Sequence, residues 1–131
     1  MAYVIKATFD NGNNGIVESK NGKTSTSFEG EGMSPYDLFL SGYSSCLHAT
    51  FKGIADKKRI PFAGVTYDVV GVKREEVPTL LKELTTTITF TGVPKEKEKA
   101  IEKSMALAER YCSISATINM IAEMKFDIIF K

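Results

Sequence analysis

Two cysteines are the side chains in this sequence best suited to nucleophilic or redox chemistry. Cys46 and Cys112 stand far apart, a spacing that matches neither a CxxC redox pair nor a set of metal ligands. Each is either a buried core residue or, if the fold brings the two sulfurs together, one half of a redox pair. In such a pair one thiol is oxidised to a sulfenic acid and the other condenses with it. The spacing alone leaves both interpretations open.

His48, the single histidine, is a candidate general base. On a helix it would point about 200° away from Cys46, two residues before it, so it cannot activate that thiol within its own helix. A place on a polar face or an interface is therefore favoured over catalysis. One histidine and two distant cysteines are also one ligand short of a tetrahedral zinc site, unless a carboxylate or a second subunit supplies it. We predict no metal site and no cofactor.

A long helix is predicted to carry Cys46. Ser34 is a typical N-cap, a proline follows at the first helical position, and Asp37 gives the pattern of a capping box. No strong helix breaker appears before Pro61, which predicts a helix over residues 35–58. This segment is apolar around most of its circumference. Such a helix is expected to be central and largely buried.

Nothing on that helix would activate the Cys46 thiol. The residues three and four positions away carry no charge, and the helix N-terminus is too distant for its dipole to act. Burial without a cation would raise the pKa of Cys46 and leave the thiol inert. Cys112 differs, because it precedes a possible helix start at Ser113 and lies near Arg110. A reactive Cys46 is therefore expected to need a cation from elsewhere in the fold.

The remaining elements follow from alternation and helical periodicity. The first thirty residues predict a three-stranded meander, and a long hairpin and a closing strand are predicted after the long helix. Residues 95–110 have helical periodicity, and 113–119 are predicted to be helical or irregular. The predicted strands are residues 3–9, 16–19, 24–28, 65–73, 84–91 and 124–130. This order favours an α+β fold with antiparallel sheets and a long central helix, in one domain over residues 1–131.

The composition narrows the possible classes of function. The 131 residues are 43% apolar and 25% charged, as in an ordinary globular protein, and the net charge is only +1. So balanced a charge argues against nucleic-acid or acidic-membrane partners. No apolar run approaches the roughly 18 residues of a membrane span, and two cysteines make a poor disulfide framework. We therefore expect a cytoplasmic protein.

Four segments occur in a characteristic order along nearly the whole chain. They are Ser-Pro at 34–35 followed by Leu-Phe-Leu-Ser-Gly-Tyr-Ser-Ser-Cys at 38–46, Lys-Arg-Ile-Pro at 58–61, the strand at 65–70, and Tyr-Cys-Ser-Ile-Ser at 111–115. In this order they resemble the OsmC-like and organic hydroperoxide resistance family. The resemblance implies an intertwined α+β homodimer with a long central helix from each subunit and two active sites at the interface.

The same resemblance implies a function. Cys46 would attack an organic hydroperoxide, become a sulfenic acid, and be resolved by Cys112 as an intramolecular disulfide. A dithiol or lipoylated reductant would then restore both thiols, and Phe39, Tyr43 and Tyr36 would line the substrate pocket. We expect a thiol-dependent peroxidase, an oxidoreductase that acts on a small-molecule hydroperoxide in oxidative stress defence.

Two departures from the family pattern favour an alternative. Family members place a Glu directly after the helix-starting proline, where this chain has Tyr36, with Asp37 one step away on another face. They also hold the thiolate with an arginine in the N-terminal strands, and here no arginine precedes Arg59. The candidate cations are Lys6, Lys20, Lys23, Arg59, Arg74 and Arg110. The alternatives are a non-catalytic OsmC-like dimer that binds a small hydrophobic ligand, and a purely structural dimer.

Overall fold

The computed structural model describes residues 1–131, which form two compact units, Met1–Ser41 and Gly42–Lys131. Six strands and three α-helices are present, so the predicted α+β class is confirmed. The strands are β1 (Lys6–Phe9), β2 (Gly15–Ser19), β3 (Gly22–Thr26), β4 (Gly64–Lys73), β5 (Leu81–Thr91) and β6 (Glu123–Phe130). The helices are α1 (Pro35–Lys57), α2 (Glu98–Tyr111), which follows a short 3-10 turn, and α3 (Ser113–Asn119).

The first unit contains the predicted antiparallel meander, in the order β1-β2-β3. Its first strand is shorter than the alternation predicted, beginning at Lys6 and not at Tyr3. Lys6 pairs with Glu18, and β2 turns into the next hairpin directly after Ser19, so the residues before Lys6 have almost no strand to pair with. The alternating apolar residues of the first five positions therefore stay outside the sheet.

Helix α1 begins with the predicted capping box. The Asp37 N–H donates to Ser34 Oγ at 3.1 Å, and the Ser34 N–H donates to Asp37 Oδ2 at 2.9 Å. The hydrogen bonds from the Ser34 backbone and hydroxyl lower the pKa of Asp37. The helix ends at Lys57, one residue before the predicted end, and Arg59 follows in the left-handed region at φ 56°. The Ile60 N–H then bonds the Ala55 carbonyl at 2.9 Å and closes the helix end.

The second unit contains a mixed sheet in the order β4-β5-β6. Strands β4 and β5 form the predicted long antiparallel hairpin, but β6 pairs with β5 in parallel. The expectation of purely antiparallel sheets therefore does not hold for β6. Helices α2 and α3 form a crossover between β5 and β6, which lets the chain return and run in the same direction as β5.

The core of the second unit lies against one face of α1. Tyr43, Leu47, Phe51 and Ala55 are buried at four-residue spacing, and the rings of Phe51 and Phe90 lie 5.3 Å apart. The opposite face of α1 is exposed in this chain. The helix is thus buried on one face, whereas its apolar composition predicted burial around most of its circumference.

A hydrogen bond links α1 to the middle of the sheet. Tyr43 OH and Thr86 Oγ1 are 2.8 Å apart, and both residues are fully buried. We expect Tyr43→Phe to lower the free energy of unfolding by roughly 1–3 kcal/mol, because it leaves the Thr86 hydroxyl unpaired. Urea unfolding measures this loss. Thr86→Val is the partner variant, and a double variant as unstable as the sum of the two single losses would contradict the coupling.

Candidate active site

The fold brings the two cysteines together. Cys46 lies midway along α1, and Cys112 occupies the break between α2 and α3. Cys112 has an extended backbone, with φ −67° and ψ 117°, which ends α2 and makes the residue the N-cap of α3. Hydrogen bonding between the two thiols lowers the pKa of Cys46 and helps to raise that of Cys112, and both cysteines are free. The two sulfurs are thus within hydrogen-bonding reach of each other.

Cys112 has the higher pKa of the two thiols. The residue is completely buried, and its sulfur accepts a 3.3 Å hydrogen bond from the Ser115 N–H. Burial, and to a lesser extent the hydrogen bond to the Cys46 sulfur, raise the pKa of Cys112 to about 11, although the Ser115 N–H acts in the opposite direction. At neutral pH the Cys112 thiol therefore carries its proton and presents it to Cys46.

The Cys46 thiol has the opposite shift. Burial raises the pKa of Cys46, but hydrogen bonds from the Cys112 S–H, the Ile114 N–H, and the hydroxyl and N–H of Ser113 lower it below the ordinary value. Cys46 is only half-buried. The expected rise in the pKa of Cys46 is not found, because that expectation considered only the neighbours on its own helix and omitted the groups of Cys112, Ser113 and Ile114.

No lysine or arginine is among the groups that shift the pKa of Cys46. Two of the predicted cations in the same unit have other contacts. The Arg74 Nε donates to the Pro78 carbonyl at 2.9 Å, and the Arg110 guanidinium lies 5.8 Å from the centre of the Tyr111 ring. The donors that take the place of a cation are all neutral.

His48 lies apart from the cysteine pair, as its helical spacing predicted. Its Nδ1 is 3.0 Å from the Tyr67 hydroxyl on β4. The two residues line a cavity of about 380 Å³ together with Ser44, Ser45 and Val65. No group of three or more His, Cys, Asp or Glu side chains in the chain is placed to hold a metal ion. The cavity contains hydroxyl groups and an imidazole but no cysteine.

The predicted pocket residues fall in different surroundings. Tyr43 is fully buried, and burial raises the pKa of its phenol to about 12. Tyr36 and Phe39 form an edge-to-face pair with ring centres 5.8 Å apart in the unit Met1–Ser41. Their contact with a substrate stays a prediction. Ser113, whose groups lower the pKa of Cys46, is marked in the sequence only as a possible helix start.

Comparison with known proteins assigns the family. A family model described as OsmC-like protein matches residues 28–127. The chain belongs to the OsmC-like family. The predicted resemblance is thereby confirmed, and the matched residues include both cysteines of the candidate active site. No curated protein matches this OsmC-like chain in sequence.

Solved structures show the same fold over the full length. An OsmC-like protein from Mycoplasma pneumoniae is 17% identical, with a TM-score of 0.88 over 99% of this chain and 97% of that one. The organic hydroperoxide resistance protein OsmC from Legionella pneumophila is 21% identical, with 0.72 over 98% and 97%. OhrB of Bacillus subtilis, an organic hydroperoxide resistance protein, is 18% identical, with 0.68 over 98% of each chain. At such identities the likeness establishes the OsmC-like fold.

None of the helices in this OsmC-like chain combines the length and apolar character needed to cross a membrane.

Proposed function

We propose that this OsmC-like protein is a thiol-dependent peroxidase that reduces organic hydroperoxides in the cytoplasm as part of oxidative stress defence. Cys46 is the nucleophile and Cys112 is the resolving thiol. What supports this proposal is the nearness of the two thiols, which lowers the pKa of Cys46 and, together with burial, raises that of Cys112. A low-pKa thiolate beside a protonated thiol is the arrangement that a two-cysteine peroxidase needs.

The chemistry balances with a hydroperoxide and the two thiols alone. The Cys46 thiolate attacks the terminal peroxide oxygen, so an S–O bond forms, the O–O bond breaks, and the departing alkoxide takes a proton to become an alcohol. Cys112 then gives up its proton and attacks the Cys46 sulfur. The S–S bond forms, the S–O bond breaks, and the hydroxyl group leaves as water. Each turnover moves two electrons from the cysteine pair to the peroxide.

A dithiol or lipoylated reductant completes the proposed cycle. One thiolate of the reductant attacks the protein disulfide, forms a mixed disulfide and releases one protein thiol. The second thiol of the reductant then attacks the mixed disulfide and displaces the other protein thiol. The reductant leaves as its own disulfide, and both protein thiols are restored. No metal or other cofactor takes part in these steps.

The rival function is a non-catalytic dimer that binds a small hydrophobic ligand. That function requires no reactive thiol, and a buried Cys46 without donors would have a raised pKa. The four hydrogen bonds to the Cys46 sulfur, from Cys112, Ile114 and twice from Ser113, shift its pKa in the other direction. This direction supports the peroxidase over the binding module.

A homodimer is the second part of the proposal. In the unit Met1–Ser41 the buried residues are only Thr26 and Ser27, while Tyr3, Ile5 and Phe28 are 87%, 64% and 69% exposed. A three-stranded sheet without a buried apolar face lacks the hydrophobic stabilisation that a sheet needs. A second copy of the chain that covers these side chains would supply it.

Helix α1 offers a surface for the same partner. Its exposed face carries the small residues Ser45, Ala49 and Gly53 at four-residue spacing. An added Cβ at Gly53 would meet no atom within 4 Å in this chain. Small residues at this spacing let two helices approach closely. We therefore propose that α1 packs against α1 of the second subunit along this stripe.

The stripe is tested by Ala49→Leu. Two bulky side chains would be forced between the helices, so we expect the dimer dissociation constant to rise at least about tenfold. Analytical ultracentrifugation over a dilution series measures it. Ala106→Leu, the same change at an exposed position of α2, is the matched control and should leave the dimer intact. Equal dissociation constants for the two variants would refute α1 packing.

Mass spectrometry tests the catalytic proposal directly. Fully reduced protein mixed with one equivalent of an organic hydroperoxide is expected to lose two hydrogen atoms, and peptide mapping should join Cys46 to Cys112. A dithiol should then restore the original mass. A protein whose mass stays unchanged with excess hydroperoxide is not a peroxidase, and a ligand-induced rise in its melting temperature would favour the binding module.

A further inference from the structure

A polar cavity lies between α2 and α3, and the proposed peroxidase makes no use of it. Its volume is about 230 Å³, and its lining side chains are Glu109 and Arg110 of α2 and Ser115, Ala116 and Asn119 of α3. Drug-sized ligands occupy pockets of roughly 300–1,000 Å³, whereas one water molecule takes about 30 Å³. The cavity therefore has room for a small molecule of a few heavy atoms.

Ser115 gives this cavity a buried polar atom without a partner. The residue is 1% exposed, and its Oγ is the one buried side-chain oxygen or nitrogen in the chain that makes no hydrogen bond. Its backbone N–H is already used, since it donates to the Cys112 sulfur at 3.3 Å. Buried polar groups in proteins are nearly always hydrogen-bonded, because an unpaired one costs free energy. The hydroxyl that lines the cavity is therefore available to a ligand.

Glu109 and Arg110 add one charge of each sign to the same cavity. They are consecutive residues of α2, and neither belongs to an ion pair. Burial raises the pKa of Glu109, as expected for a carboxylate without a cation beside it. The Arg110 side chain contacts the Tyr111 ring, whose centre lies 5.8 Å from the guanidinium carbon. Each charge is thus open to a ligand group of the opposite sign.

We propose that the cavity between α2 and α3 binds a small zwitterion, a free α-amino acid. The ammonium group of the ligand lies against the Glu109 carboxylate, and its carboxylate accepts hydrogen bonds from the Arg110 guanidinium and the Ser115 hydroxyl. A simple anion would be repelled by Glu109, and a simple cation by Arg110. Asn119, one turn after Ser115 on α3, offers an amide that both donates and accepts. Binding needs no reactive thiol, so this proposal is independent of the peroxidase.

An NMR titration of the reduced, full-length, isotope-labelled protein with L-alanine tests the site. Propionate and ethylamine are the matched probes, since each is L-alanine without one of its two charged groups. We expect saturable shifts of the backbone amide signals of Glu109, Ser115 and Asn119. The dissociation constant of L-alanine should be at least about tenfold lower than that of either probe, because each probe lacks one charge-assisted contact.

Two outcomes of this titration overturn the proposal. Propionate or ethylamine that binds as tightly as L-alanine shows that the cavity does not select a zwitterion. If L-alanine causes no saturable shift, the cavity is filled by water alone.

Two variants and a control connect the binding to the named side chains. Ser115→Ala deletes the hydroxyl, and we expect the dissociation constant of L-alanine to rise about tenfold. The fold should be kept, because this hydroxyl has no partner within the chain. Glu109→Gln removes the charge at nearly unchanged shape, and it should weaken L-alanine about tenfold without weakening propionate.

The matched control is Glu102→Gln, the same change at an exposed position of α2. It should retain the wild-type dissociation constant. Wild-type affinity for L-alanine in Ser115→Ala and Glu109→Gln, with normal circular dichroism, overturns the proposal. A loss in Glu102→Gln as large as that in Glu109→Gln also overturns it, because the ligand would then respond to the general charge of α2 and not to this cavity.

Discussion

Cys46→Ser is expected to reduce organic hydroperoxides at least about a thousandfold more slowly than the wild type. A serine hydroxyl is not ionised near neutral pH, so the hydrogen bonds that stabilise the Cys46 thiolate have no anion to hold. Cys112 cannot substitute as the nucleophile, because it is fully buried and its pKa is raised to about 11. Stopped-flow consumption of hydroperoxide with a dithiol reductant measures the loss.

His48→Gln is the control for this experiment. The His48 ring contacts Tyr67 and not the cysteine pair, so this variant should turn over at the wild-type rate. If Cys46→Ser keeps a substantial fraction of the activity, another group performs the attack and the assignment of the nucleophile is wrong.

Cys112→Ser is expected to react once with hydroperoxide and then to over-oxidise. The sulfenic acid on Cys46 would have no thiol to condense with, so further peroxide converts it to the sulfinic and sulfonic acids. Intact-mass measurements should show the gain of two or three oxygen atoms where the wild type loses two hydrogens. A Cys112→Ser protein that resists excess hydroperoxide as well as the wild type would contradict the resolving role.

A second variant separates resolution from hydrogen bonding. In Cys112→Ser the hydroxyl can still donate to Cys46, so the first oxidation should stay fast. Cys112→Ala removes the donor, and the first oxidation below the pKa of Cys46 should slow by about tenfold. Equal first-step rates in the two variants would show that the Cys112 hydrogen bond does not support the thiolate.

Structural features that depend on residues close together in the chain could be predicted from the sequence. The Ser34–Asp37 capping box, the course of α1 to Lys57 and the hairpin of β4 and β5 each depend on patterns within a few turns or strands. Local spacing also explains why His48 stays away from Cys46. The pairing of the two cysteines did not follow from spacing, and only the family resemblance implied it.

Features that depend on distant segments could not be predicted locally. The groups that lower the pKa of Cys46 belong to Cys112 and to the first two residues of α3, and their effect exists only once the chain has folded. The parallel direction of β6 depends on how α2 and α3 carry the chain back to β5. The one-sided burial of α1 depends on which neighbours this single chain provides. Sequence periodicity records which residues can be buried, but not which partner buries them.

The unequal burial of the two sulfurs restricts how the proposed cycle can be reset. Cys112 is completely covered, while Cys46 is half-exposed. An incoming reductant would therefore reach the oxidised pair only at Cys46, although Cys46 would be the better leaving group on account of its lower pKa. The hydroperoxide and the reductant would thus both react at the exposed Cys46 sulfur, one after the other. The mixed disulfide with the reductant would form on the same sulfur that had received the oxygen.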